Sequence, residues 1–279
     1  MQDDAFRLNA RLLSRFDITP DLAIFRIARD HGWFDYRPGQ YTVIGLPAVA
    51  PRCSGTDEAD PNENNGNSGG ADRLIRRAYS IASSSAEDGS YLELYITLVH
   101  SGRLTPRLWC LNPGDPLWVG PKATGHFTLD QVPPTANLIL VATGTGLAPY
   151  ISMIRSEHAC NVGRRFVVVH GARYSWDLGY RNMLQRLAAE CPESFVYLPT
   201  VTRRDLDPTW GGHVGRVQSV FEDGALEKAL GAPLSPEVFQ VFLCGNPEMV
   251  LSLQAMLEAR GYRLSAPKKP GTLHIEKYW

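Results

Sequence analysis

The apolar pattern of the chain changes period at Val132-Pro133-Pro134. Before that point short apolar runs at 6–13, 22–27, 40–46, 78–82, 91–98 and 116–119 are punctuated by Pro38-Gly39, Asp88-Gly89 and Pro113-Gly114, with little helical periodicity between them. That spacing predicts an antiparallel β-barrel. After it, apolar runs at 138–142, 166–169, 195–201 and 238–243 alternate with helical stretches at 149–157, 178–190 and 247–259, which predicts a parallel sheet wrapped by helices. A length of 279 residues allows two ordinary domains or one large one. The change of period decides for two, residues 1–133 and 134–279.

Composition narrows the class. Hydrophobic residues make up 44% and charged residues 20% of the chain, with 28 Lys+Arg against 29 Asp+Glu, a globular profile whose net charge argues against nucleic acid as a bulk electrostatic partner. Cys53, Cys110, Cys160, Cys191 and Cys244 are scattered and never spaced C-x-x-C. Neither a disulfide framework nor a zinc or iron-sulfur site is therefore expected, and most of them read as buried thiols. The chain begins Met1-Gln2-Asp3-Asp4 without a leader-like segment, and no stretch is apolar enough to span a bilayer. A cytoplasmic monomer is the expectation. Residues 51–74 are too polar and glycine-rich to bury a face and read as a surface insert, a tolerated insertion rather than a lid.

The motif Val141-Ala142-Thr143-Gly144-Thr145-Gly146-Leu147-Ala148-Pro149 is a glycine turn between an apolar strand and a helix opened by proline. Small residues there let an anion approach free N–H groups at the helix start. It lacks the lysine of a P-loop, and Pro149 stands where the dinucleotide fingerprint has its third glycine, so a structural turn explains it as well as a phosphate site does. The next strand ends at His170-Gly171-Ala172-Arg173, where an NAD site would carry an acidic residue for the ribose diol. Arg203 and Arg204 follow the third strand and Arg216 lies a short loop beyond. Any one of these is ordinary surface charge, but the set suits a 2′-phosphate and favours NADP over NAD. In the first half, Arg77-Ala78-Tyr79-Ser80 combines a cation, a flat ring and a hydroxyl on one strand segment. A flavin requires those three groups, although a strand tyrosine is most often plain core. The seven histidines form no H-E-x-x-H, and there is no G-x-S-x-G elbow.

Taken together, Arg77-Ala78-Tyr79-Ser80, the run from Gly102-Arg103-Leu104-Thr105 to Leu108, Gly114-Asp115, Gly144-Thr145-Gly146, Cys244-Gly245-Asn246-Pro247-Glu248-Met249 and the ending Glu276-Lys277-Tyr278-Trp279 resemble the ferredoxin-NADP reductase family, in its bacterial ferredoxin/flavodoxin branch, in order and over nearly the whole chain. The resemblance implies an FAD-binding antiparallel barrel followed by an NADP-binding α/β domain. It also implies exchange of electrons between NADPH and ferredoxin or flavodoxin, with FAD supplying hydride and semiquinone chemistry. By the same resemblance Arg77, Ala78, Tyr79, Ser80 and Tyr95 surround the flavin and its ribityl chain, and Arg103, Leu104 and Thr105 offer amides and a hydroxyl to the pyrophosphate. Thr145 touches the cofactor from the second domain, Ala172, Arg173, Thr202, Arg203 and Arg216 serve the adenosine 2′-phosphate, and Gly245, Asn246 and Met249 wall the nicotinamide ribose. Tyr79, Ser80 and Cys244 are the implied catalytic positions, and the tail residues Tyr278 and Trp279 fold over the FAD. No metal is implied. The insert before the flavin motif is longer than the family usually carries. Two other roles share these domains: the reductase part of an oxygenase system, and a flavin- and nucleotide-binding sensor that does not turn over.

Overall fold

The computed structural model describes residues 7–32, 34–57, 73–85, 90–160, 163–266 and 268–277. The chain divides into two compact units, 1–125 and 126–279, so the division lies ahead of the Pro133 boundary read from the sequence.

The first unit is built on six strands: β1 (Ala10–Thr19), β2 (Leu22–Arg29), β3 (Tyr41–Pro47), β4 (Leu74–Ser80), β5 (Leu92–Thr97) and β6 (Pro116–Val119). Their order is β4-β3-β6-β1-β2-β5, and every pairing is antiparallel. The edge strands close on each other just beyond β4, through the Ile81–Leu94 bridge and the bond from Ala82 N–H to the Glu93 carbonyl at 2.8 Å. This is the antiparallel barrel expected from the turn spacing. β1 starts at Ala10, later than the 6–13 run suggested. The Asn9 side chain takes the place of a backbone pair there, donating to the Val119 carbonyl at 2.9 Å and accepting from the Val119 N–H at 2.8 Å. Inward residues such as Leu12, Phe25, Ile27, Ile44, Leu46, Leu94 and Leu117 make the core. The short helix α1 (Thr105–Leu108) is buried against it.

The second unit carries β7 (Asn137–Thr143), β8 (Phe166–Ala172), β9 (Phe195–Val201), β10 (His213–Val214), β11 (Phe239–Gly245) and β12 (Leu273–Lys277) in the order β10-β9-β8-β7-β11-β12. All pairings are parallel. β11 is buried along its whole length and β7 and β8 almost so, because helices cover both faces of such a sheet. The helices are α2 (Ala148–Ser156), α3 (Arg181–Glu190), α4 (Ser219–Glu222), α5 (Ala225–Leu230) and α6 (Pro247–Ala259). From β7 the chain steps outward through β8, β9 and β10, then returns to the other side of β7 for β11 and β12. The sheet therefore has its topological switch between β7 and β11, the place where open α/β sheets take their ligands at the carboxyl ends of the strands.

The cysteines depart from the expectation of unpaired thiols. Cys160 and Cys191 are joined as a disulfide, with Cα atoms 5.5 Å apart and a sequence separation of 31. One follows the end of α2 and the other caps α3, a proximity that only the folded helices create. Of the remaining thiols Cys244 is buried, while Cys53 and Cys110 are half-buried. Among the described residues no helix is long and apolar enough to cross a membrane.

Candidate cofactor and coenzyme sites

In the first unit the flavin motif occupies β4, an edge strand, and this explains why Arg76, Arg77 and Ala78 are exposed in succession where a central strand would alternate. Tyr79 is half-buried against the barrel core, and burial pushes its phenol well above the usual tyrosine range, with Arg77 acting in the opposite sense. Ser80 is buried at the strand end. The Ile81–Leu94 bridge places Ser80 opposite Tyr95, which is buried on β5, so two residues far apart in sequence share the seam where the barrel closes. The 99–105 turn follows β5. Thr105 Oγ1 accepts from the Val99 N–H at 3.0 Å and contacts the Val99 carbonyl at 3.2 Å. Its hydroxyl thus holds the turn in shape, whereas the N–H groups of Leu104 and Thr105 donate to no backbone carbonyl among the described residues. Arg103 is half-buried, and the buried Arg107 donates to its carbonyl and to that of Ala48, both at 2.6 Å. N–H groups outside the backbone ladder, beside a guanidinium, suit a pyrophosphate. The described start of the polar insert is fastened to this same turn: Arg52 donates to the Gly102 carbonyl at 3.0 Å and to the Asp57 carbonyl at 2.8 Å, and the Asp57 N–H reaches the His100 carbonyl at 3.2 Å. Residues 58–72 of the insert lie outside the described residues.

In the second unit the two loops at the sheet's switch are stitched together. The glycine turn forms a 3-10 turn, Gly144–Leu147, leading into α2, which has Pro149 in its first turn. A Cβ on Gly146 would occupy the backbone of Cys244 and Gly245, and one on Gly245, at φ +133°, would strike Thr143. The Thr143 hydroxyl accepts from the Asn246 N–H at 2.9 Å. Thr145 is half-buried, between the exposed Gly144 and the buried Gly146 and Leu147. Across from it, Asn246 caps α6, its Oδ1 accepting from the N–H groups of Glu248 at 2.8 Å and Met249 at 3.2 Å, a structural task that the sequence reading did not foresee. Met249 is buried in the core below. Cys244 is fully buried, with its Sγ 3.8 Å from Glu276 Oε2 on the neighbouring strand β12. Glu276 belongs to the sequence motif but was not singled out as a site residue, because only the β11–β12 pairing brings it to the thiol. Tyr278 and Trp279 lie outside the described residues.

The arginines stand at the carboxyl ends of three neighbouring strands. Ala172 ends β8, and the ladder continues past it: the Thr202 N–H donates to the Ala172 carbonyl at 3.1 Å and the Arg203 N–H to the Arg173 carbonyl at 3.0 Å. Arg173, Thr202, Arg203 and Arg216 are all exposed. Arg203 donates to the Tyr174 hydroxyl at 3.3 Å, and Tyr174 stacks on Trp176 with centroids 4.6 Å apart and planes 10° from parallel. Sequence reasoning passed over this flat apolar surface, since Tyr174 and Trp176 fall in a segment with no period of its own. Asp207 ties the two loops by accepting from the Ser175 N–H at 2.7 Å, and that bond holds its carboxyl below the usual range. Among the described residues no cluster of His, Cys, Asp and Glu could hold a metal ion.

An antiparallel barrel followed by a parallel sheet with a glycine turn at its switch and arginines at its carboxyl edge defines the class of two-domain, flavin-type nucleotide oxidoreductases. The oxidoreductase NAD-binding domain family matches residues 140–255. The flavodoxin/ferredoxin–NADP reductase of Shigella flexneri is 38% identical over 92% of this chain and 93% of its own length, and the ferredoxin–NADP reductase of Pseudomonas aeruginosa is 30% identical over 96% and 95%. A Neisseria gonorrhoeae ferredoxin NADP+ reductase, solved with FAD and NADP bound, shares the fold with a TM-score of 0.80 at 24% identity, over 97% of this chain and 98% of that one. The chain belongs to the flavodoxin/ferredoxin–NADP reductase family.

Proposed function

We propose that the protein is an FAD-dependent reductase that exchanges electrons between NADPH and ferredoxin or flavodoxin. Within a chain of this family, the observation that carries the reading is the row of Arg173, Arg203 and Arg216 at the ends of neighbouring strands of a sheet whose switch is lined by glycine. Exposed guanidinium groups at these strand ends suit the doubly charged 2′-phosphate that separates NADPH from NADH. FAD, when bound, supplies the hydride and single-electron chemistry. Tyr79, Ser80 and Tyr95 would hold its ring and ribityl chain, Arg77 and the Leu104 and Thr105 N–H groups its pyrophosphate, and the Tyr278–Trp279 tail would cover it. Thr145, Gly245 and Asn246 would wall the nicotinamide end, where Cys244 and Glu276 meet. Cys244 lies buried behind that wall. The FAD-binding domain passes into the NADP-binding domain within 126–133, between the division of the two units and Pro133. The protein acts as a monomer in the cytoplasm.

The test is reconstitution with FAD followed by assay with NADPH and an artificial one-electron acceptor. Turnover with about one FAD per chain supports the reading. An FAD-loaded protein that binds NADPH without turning over would instead be a sensor.

A further inference from the structure

Arg216 is exposed between Gly215 and the buried Val217, yet the backbone beneath it is fixed by a relay of polar contacts. Thr200, buried on β9, has its hydroxyl 2.7 Å from the Gly215 carbonyl and 3.0 Å from His213 Nδ1. The far ring nitrogen, Nε2, lies 2.8 Å from Asp223 Oδ2. Asp223 Oδ1 in turn accepts from the N–H of Ala225, the first residue of α5, at 3.0 Å. The Thr200 hydroxyl donates to the Gly215 carbonyl and meets His213 Nδ1; the Asp223 carboxylate only accepts, so Nε2 carries a proton and donates to it. The His213 ring thus spans the loop that carries Arg216, from the end of β9 to the start of α5, with a charge-assisted bond on the Asp223 side. The Asp223 carboxyl is held below the usual range, chiefly by that bond. The loop has little freedom left. Gly215 sits at φ +138°, where a Cβ would strike Ser219, and Ser219 bonds back to the Arg216 carbonyl through its hydroxyl at 2.7 Å and its N–H at 2.9 Å. The His213 carbonyl accepts from the Trp210 indole at 2.8 Å.

We propose that His213 and Asp223 are positioning residues for coenzyme selectivity, holding the 215–216 backbone so that the Arg216 guanidinium is presented at the strand edge it shares with Arg203. The inference rests on the assignment of Arg216 to the 2′-phosphate. Both act on that guanidinium through the loop backbone, by contacts within the protein. The nicotinamide end belongs to other loops, 143–147 and 244–247, so loosening the relay penalises only the ligand that carries a 2′-phosphate. A residue that merely stabilised the unit would weaken NADP+ and NAD+ alike.

Binding of NADP+ and of NAD+ to the FAD-loaded full chain, measured by titration calorimetry alongside kcat and KM, tests this with D223A, H213A, R216A and the double variant D223A/R216A. D223A and H213A are each expected to weaken NADP+ about fivefold to twentyfold, part of the loss of a charge-assisted contact. NAD+ affinity and kcat should stay within about twofold, and D223A should cost nothing more once Arg216 is gone. Asp223→Asn keeps an acceptor for the Ala225 N–H while removing the charge; it should show a smaller loss of the same kind, and serves if the alanine variant fails to fold. Equal losses for both coenzymes, no loss, or an undiminished loss in the R216A background would overturn the proposal. If R216A itself left the preference for NADP+ intact, the 2′-phosphate assignment would fall and the proposal with it; if R216A lost that preference and D223A kept it, only the positioning role would fall.

Discussion

Gly146 and Gly245 lack a Cβ for the same reason: each packs on the backbone of the other's loop at the switch of the parallel sheet. Gly146→Ala would force those loops apart, an overpacking cost of about 1–3 kcal/mol. We expect the variant to keep its FAD, which the other unit holds, while its KM for NADPH rises about tenfold or more. Loss of FAD with unchanged KM would contradict that assignment. Replacing Arg203 and Arg216 by Ala should raise the KM for NADPH far more than that for NADH, at about 1.5–3 kcal/mol per charge-assisted contact; parallel changes in both would count against it. Two buried histidines set an acid limit. Burial lowers His170, which contacts the Tyr197 hydroxyl at 3.2 Å, to about 3, and His274, stacked on Phe242 at 4.1 Å, to about 4. Both rings are neutral in the folded protein, whereas the unfolded chain takes up protons near the ordinary histidine value of about 6.5. Their contribution to stability is therefore complete above about 6.5 and declines as pH falls toward the folded values, by about 1.4 kcal/mol per pH unit for each ring. Denaturant unfolding between pH 7 and 5 should show this slope, and H274Q should remove one ring's share. The same slope in the wild type and in H274Q would show that this ring is not held neutral.

At the scale of elements, the sequence made the long strands of the parallel sheet plain, because β7, β8, β9 and β11 are apolar runs alternating with helical periods. Five elements were not legible. β10 has two residues, α1 and α4 four each and α5 six, lengths too short to show a period, and β12 interleaves His274 and Glu276 with its apolar residues. The strand end at Ala10 was hidden because a side chain, that of Asn9, makes the backbone-like pair. The disulfide was hidden because nothing in a separation of 31 positions marks Cys160 and Cys191 as neighbours. It encloses β8 and α3, and so braces the segment that ends in Arg173. The double variant C160S/C191S should lose about 2–4 kcal/mol through relaxation of the unfolded chain, a fall in Tm of roughly 5–15 °C. Reductant should do the same to the unmodified protein and nothing to the variant. Since a reducing compartment keeps most thiols reduced, alkylation and mass measurement on freshly lysed cells will show which form the protein holds.

For the whole molecule, two domains and their order were readable because the two halves differ in period, and the placing of Arg173, Arg203 and Arg216 beyond neighbouring strand ends was readable because each follows an apolar run or a short loop after one. The flavin half was less so. Arg77, Tyr79 and Ser80 are adjacent in sequence, but Tyr95 joins them only through barrel closure at Ile81 and Leu94, and Glu276 joins Cys244 only through strand pairing. The assigned activity requires both domains to work in series, passing electrons from a two-electron donor to a one-electron protein carrier. The most direct measurement is NADPH-dependent reduction of purified ferredoxin or flavodoxin by the FAD-loaded protein, followed by the carrier's own absorbance. We expect saturable reduction with NADPH and, at equal concentration, at least about tenfold less with NADH. An FAD-loaded protein that oxidises NADPH with an artificial acceptor but reduces neither carrier would contradict the account.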